Sequence, residues 1–151
     1  MNIARKVVVV IAVALVSLVT LAVAAGAGGR PLSTDLNGAA EVPGPGDANA
    51  SGHIDLTLNQ GQGEVCFDLS WSDIDGTVVA AHIHVAPAGV AGPVVVPLPL
   101  SSSAGTAAVS ACVEADQELI KAIRQNPSGY YVNVHSTPGF DAGAVRGQLG
   151  G

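Results

Sequence analysis

Short runs in which apolar and polar residues alternate, each closed by glycine or proline, constrain this chain more than any other feature. In His53-Ile54-Asp55-Leu56-Thr57-Leu58 every second residue is apolar; the turn Asn59-Gln60-Gly61-Gln62-Gly63 follows, and Glu64-Val65-Cys66-Phe67-Asp68-Leu69-Ser70-Trp71 returns. A period of two belongs to a strand with one buried face, because successive side chains point to opposite sides of a sheet. The two runs therefore predict a hairpin. Further strands are expected over residues 78–85, 92–98, 105–113, 130–135 and 144–149, the spacing of an all-β sandwich or barrel. Residues 32–36 read as an edge strand. Residues 42–46 read as a loop, since Pro43 and Pro45 exclude a central strand.

One helix is expected, over residues 116–125. Leu119, Ile120 and Ile123 form its apolar stripe, and Asp116 can cap its N-terminus. Lys121 and Arg124 fall near the C-terminal end, where the helix dipole favours cations, before Asn126-Pro127-Ser128-Gly129 breaks it.

Residues 1–27 have the make-up of an export signal. Arg5 and Lys6 precede an uncharged apolar stretch that ends in Ala25-Gly26-Ala27, small residues suited to a signal peptidase. The alternative is an uncut anchor, since residues 7–27 are long enough to span a bilayer. Only then would this segment bring the chain to a membrane. A single domain is expected over residues 28–151, in a secreted or otherwise extracytoplasmic location. From Arg30 onward four basic residues (Arg30, Lys121, Arg124, Arg146) stand against twelve acidic ones, a net charge of −8. Such a surface repels phosphate backbones, so nucleic acid is excluded as a partner and an extracellular protein or surface is the expected kind.

The two cysteines, Cys66 and Cys112, both fall in expected strands. An even count in an exported chain is most simply a disulfide; the alternative is two buried thiols. No motif supports a cysteine or serine nucleophile.

In Ala81-His82-Ile83-His84-Val85 the strand period puts both imidazoles on one face, with Ala81, Ile83 and Val85 on the other, against the core. Imidazoles at i and i+2, about 6 to 7 Å apart at their Cα atoms, can converge on one metal ion. In Tyr130-Tyr131-Val132-Asn133-Val134-His135 the apolar face carries Val132 and Val134, leaving Tyr131, Asn133 and His135 opposite. If the two strands are close, His135 joins His82 and His84 in a three-imidazole cluster suited to copper, and less to zinc. The competing reading makes all three histidines outward polar groups, bonded to neighbours such as Tyr131 and Asn133.

The ordered stretches "LNGAAEVPGPG", "GEVCFDLSW", "AAHIHVAPAGVAGPVVVPL" and "YYVNVHSTPGFDAGAVRGQLG" resemble the CHRD domain, named after chordin, over residues 32–149. The resemblance implies a Greek-key, immunoglobulin-like sandwich or barrel, distantly similar to copper/zinc superoxide dismutase, and no settled biochemical function. His82 and His84 resemble the paired copper ligands of one dismutase strand, His135 a later ligand, and Ala144-Val145-Arg146-Gly147 the strand of the active-site arginine. Arg146 is thus expected either beside the histidines, attracting anions, or paired with an acid such as Asp141 or Asp75. The chain departs from a dismutase in having no histidine between His84 and His135, so the bridging ligand and the zinc subsite are missing. The expected function is an exported binding or structural module, uncertain as an enzyme but closer to a non-enzyme, with its contact surface in residues 87–92 and 137–143 and a three-histidine metal site. The alternative is a copper-dependent dismutase-like enzyme or a copper-handling protein.

Overall fold

A computed structural model describes residues 29–100 and 107–150; the expected export signal at 1–27 and the expected start of a strand at 105 lie outside these. Eight strands appear in the order β1 (Arg30–Asn37), β2 (Ser51–Asn59), β3 (Glu64–Ser72), β4 (Thr77–Val85), β5 (Val94–Leu98), β6 (Ala108–Glu114), β7 (Tyr130–Thr137) and β8 (Phe140–Gln148). All pair antiparallel in one sheet of order β5-β4-β7-β8-β1-β2-β3-β6, which curls into a nearly closed barrel. The all-β expectation with a single α-helix holds.

The hairpin of β2 and β3 forms in the register its alternation dictates, with Ile54 opposite Leu69 and Leu56 opposite Phe67. Ile54, Leu56, Leu58, Val65, Phe67 and Leu69 are all buried inside the barrel, while Asp55, Thr57 and Asp68 between them face outward. Helix α1 (Gln117–Gln125) adds Ile120 and Ile123 to the same core. Its first turn is fixed by Asp116, whose carboxylate accepts from the Glu118 and Leu119 backbone N–H groups at 2.9 and 3.0 Å.

Three details differ from the sequence expectation. β1 is not an edge strand: it pairs with β2 along its whole length and meets β8 at Asn37 and Arg146. Its second neighbour comes from the far end of the chain, which no local pattern announces. The close approach depends on Gly147, where any Cβ would run into the Asp35 carbonyl. Residues 137–143 are not an open loop, because β7 and β8 form a tight hairpin through Pro138 and Gly139. Val85, assigned to the core by alternation, is exposed: it is the last residue of β4, where the strand leaves the barrel.

Residues 41–50 pack on the barrel. Asp47 is buried, with its backbone N–H donating to the Ala144 carbonyl and its carboxylate accepting from the backbone N–H groups of Asn49 and Asp75. This holds the preceding Glu41 against β8.

Cys66 and Cys112 sit directly opposite each other on β3 and β6 and are bonded, with S–S 2.08 Å. The bond ties the sheet's terminal strand β6 across 46 residues of chain. Closing a loop of that length contributes about 4 kcal/mol in the chain-entropy model. Urea unfolding of a Cys66→Ser/Cys112→Ser double variant is expected to show a loss of that order. A loss under about 1 kcal/mol would mean that β6 is held by its ladder and apolar face alone.

Candidate metal centre

The site is built on the outer face of β4 and β7. Their antiparallel register sets Ala80 opposite His135, His82 opposite Asn133 and His84 opposite Tyr131. Ala81 and Ile83 point into the core, as do Val132 and Val134. The polar partners of both strands therefore meet on one surface.

This surface is not open to water. Residues 86–92 fold back over it, so that His84 retains 8% of its exposure, Tyr131 3% and Asn133 2%, while His82 and His135 are half-buried. The expectation of outward histidines thus holds for direction but not for solvation.

His82, His84 and His135 come together as expected: one ring nitrogen from each lies within 4.8 Å of the other two. His82 Nδ1 is 3.2 Å from His135 Nε2, and the ring centroids of His82 and His84 are 5.5 Å apart. Two ligand nitrogens at about 2.0 to 2.1 Å from a common ion are separated by no more than about 4 Å, so small ring rotations suffice to close the set.

Two of the rings are oriented by backbone carbonyls. His84 Nδ1 donates to the Gly92 carbonyl at 2.8 Å, and His135 Nδ1 donates to the Asp141 carbonyl at 3.0 Å. A carbonyl only accepts, so each Nδ1 carries the proton and each Nε2 is left with a bare lone pair. His84 Nε2 is buried without any hydrogen-bond partner. A buried imidazole with one nitrogen fixed by a carbonyl and the other left free is the arrangement of a metal ligand with its supporting contact. Burial and the neighbouring His135 and His84 push the His82 pKa below its ordinary value, and burial also lowers that of His135. Both rings are thereby kept neutral near pH 7.

His84 belongs to a three-layer stack. Its ring lies parallel to Tyr131, centroids 4.7 Å apart, and the Arg146 guanidinium covers the other face of Tyr131 at 3.4 Å. Arg146, 1% exposed, donates to the carbonyls of Val90 and Pro87 and to Gln148 Oε1. Among the described residues no acid lies within ion-pair distance of it. Arg146 therefore lies beside the histidines, separated from His84 by the Tyr131 ring, and is not a partner of Asp141 or Asp75. It clamps the covering loop and so fixes Gly92, whose N–H also donates to the Tyr131 hydroxyl at 3.2 Å. Sequence reasoning missed this role because a charged residue is ordinarily exposed; the only hint was that Tyr131 shares a face with His135.

Glu41, which precedes Val42 and Pro43 in the loop after β1, is 7% exposed, with Oε1 lacking a partner. Burial raises its pKa to about 7, against the opposing pull of the Val42 backbone, the Arg146 charge and the Asn133 amide. His53, the fourth histidine, is not part of the site. It lies on β2, bonded to Asp35 at 2.6 Å, with Asp55 at 3.6 Å.

A carboxyl whose folded pKa exceeds its unfolded value binds its proton more tightly in the folded chain. Its contribution to stability is full below about pH 4.5 and is lost as pH rises to about 7. Glu41→Gln removes that dependence, whereas His82 and His135 titrate alike in both proteins and cancel in the difference. Urea unfolding of metal-free protein should show the variant gaining on the wild type between pH 4.5 and 8. A pH-independent difference would contradict the burial of an ionising carboxyl.

A family model described as the CHRD domain matches residues 32–149. No curated protein and no solved structure matches the chain.

Proposed function

We propose, for a chain that belongs to the CHRD domain family, that it acts outside the cytoplasm as a binding module whose barrel holds one transition-metal ion on His82, His84 and His135. The observation that carries this is the buried, unpartnered Nε2 of His84, on a ring that offers a nitrogen within 4.8 Å of one from each of His82 and His135. Leaving such an atom unsatisfied costs about 1 to 3 kcal/mol, a cost that a bound cation removes. Three imidazoles suit copper(II) and zinc(II), and copper(II) stands first in affinity for nitrogen donors. Export is supported by the make-up of residues 1–27 and by a disulfide, which persists in oxidising compartments. Val85, Val90 and Val94 are exposed beside the covering loop and supply apolar area for an extracellular partner.

The dismutase alternative has less support. It requires a fourth imidazole bridging to a second metal, and the remaining histidine, His53 on β2, is held by Asp35 of β1.

Calorimetric titration with copper(II) and zinc(II) is expected to give one site in the wild type, tighter for copper. His84→Ala and His135→Ala should each weaken it by more than the roughly 10- to 100-fold typical of an outer-shell change, and His53→Ala should leave it unaltered. Because the His82 and His135 pKa values are lowered, binding should persist as pH falls through the ordinary histidine range and be lost only below it. Negligible binding in all four proteins would refute the metal site, and superoxide turnover by the copper-loaded wild type would favour the dismutase alternative.

A further inference from the structure

Three imidazoles leave a four-coordinate ion one donor short, and a second atom in the site lacks a compatible partner. Asn133 Oδ1 lies 3.1 Å from His135 Nε2. That nitrogen is bare, since the ring's proton sits on Nδ1 and is donated to the Asp141 carbonyl. An amide oxygen therefore faces an imidazole lone pair, and two acceptors at this distance repel unless a proton or cation lies between them.

The atom of the amide that faces the ring is thus its oxygen, and the Glu41 carboxyl interacts with the same side chain. Glu41 has little freedom to move. Gly143, at φ 140°, lies so close that a Cβ there would stand 2.5 Å from the carboxyl, and Asp47 pins the loop that follows Glu41. The separations agree with a shared ion: a tetrahedral set at about 2.0 Å has edges of about 3.3 Å. The observed ones are 3.2 Å for His82 Nδ1 to His135 Nε2 and 3.1 Å for His135 Nε2 to Asn133 Oδ1.

We propose that Asn133 is the fourth donor, its Oδ1 completing a set of three imidazoles and one amide oxygen, with Glu41 as the residue that positions the amide. This rests on the three-histidine reading. It places an oxygen of this chain where the dismutase resemblance leaves a gap.

The test compares wild type, Asn133→Asp and Asn133→Leu, each loaded with copper(II), by calorimetry and electron paramagnetic resonance. Asn133→Asp, which keeps an oxygen in place, should bind at least as tightly as wild type with a similar spectrum. Asn133→Leu should bind roughly 10- to 100-fold more weakly, with altered g values. Melting of the metal-free variants identifies any loss due to misfolding. In wild type grown with 13C-labelled asparagine, electron-nuclear double resonance should detect coupling of copper to an amide carbon, a readout independent of how the variants fold. Absence of that coupling, or a folded Asn133→Leu with wild-type affinity and spectrum, would overturn the assignment of Asn133 while leaving the three histidines standing. No copper binding by wild type would remove the three-histidine reading itself, and this assignment with it.

Discussion

Antiparallel pairing of β4 with β7 sets Ala80 against His135, His82 against Asn133 and His84 against Tyr131, and every later feature of the site depends on that register. Slipping one strand by one residue would exchange its faces, driving imidazoles into the core and Ile83 or Val132 out of it. The apolar faces of the two strands forbid this, because Ile83, Val132 and Val134 are fully buried in the barrel. The hydrophobic core thus specifies the placement of the polar cluster on the opposite side of the same two strands. The register is regular from Ala80 to Val85 and is interrupted by a bulge only beyond the Ala80–His135 pair, at Val78–Ala80.

Above this register sits a second layer that makes the cluster rigid and dry. Arg146 reaches from β8 to the carbonyls of Pro87 and Val90, and its guanidinium lies on Tyr131, which lies on His84. The planar fork and face of arginine allow both contacts together, which a lysine ammonium could not provide. Burying this cation without an ion-paired acid is costly, and the nearby Glu41 charge offsets part of the cost.

Much of this was legible in the sequence. The alternation over residues 53–71 fixed a hairpin, the spacing of His82 and His84 fixed a shared face, and the alternation around Val132 and Val134 put His135, Asn133 and Tyr131 on the matching face. Asp116 as a helix cap followed from its residue type and place. What local pattern could not carry were features set by distant contacts: β1 lying between β2 and β8, the folding back of residues 86–92, the burial of Arg146, and the exposure of Val85 where β4 ends. Glu41 was opaque for the same reason, since its burial depends on Gly143 and on Asp47 holding its loop. Period-two patterns report which side of a strand faces the core; they do not report what covers the other side.

The central claim is that this CHRD barrel gathers three imidazoles around one ion. X-ray absorption of the wild-type protein carrying a single equivalent of copper(II) tests it most directly, because the multiple scattering of imidazole rings counts those bound to the metal. Three imidazoles with one oxygen donor in the first shell is the predicted result. A shell of one imidazole with carboxylate oxygens would contradict the account, since it would place the ion at the exposed His53, Asp35 and Asp55 group on the far strands instead.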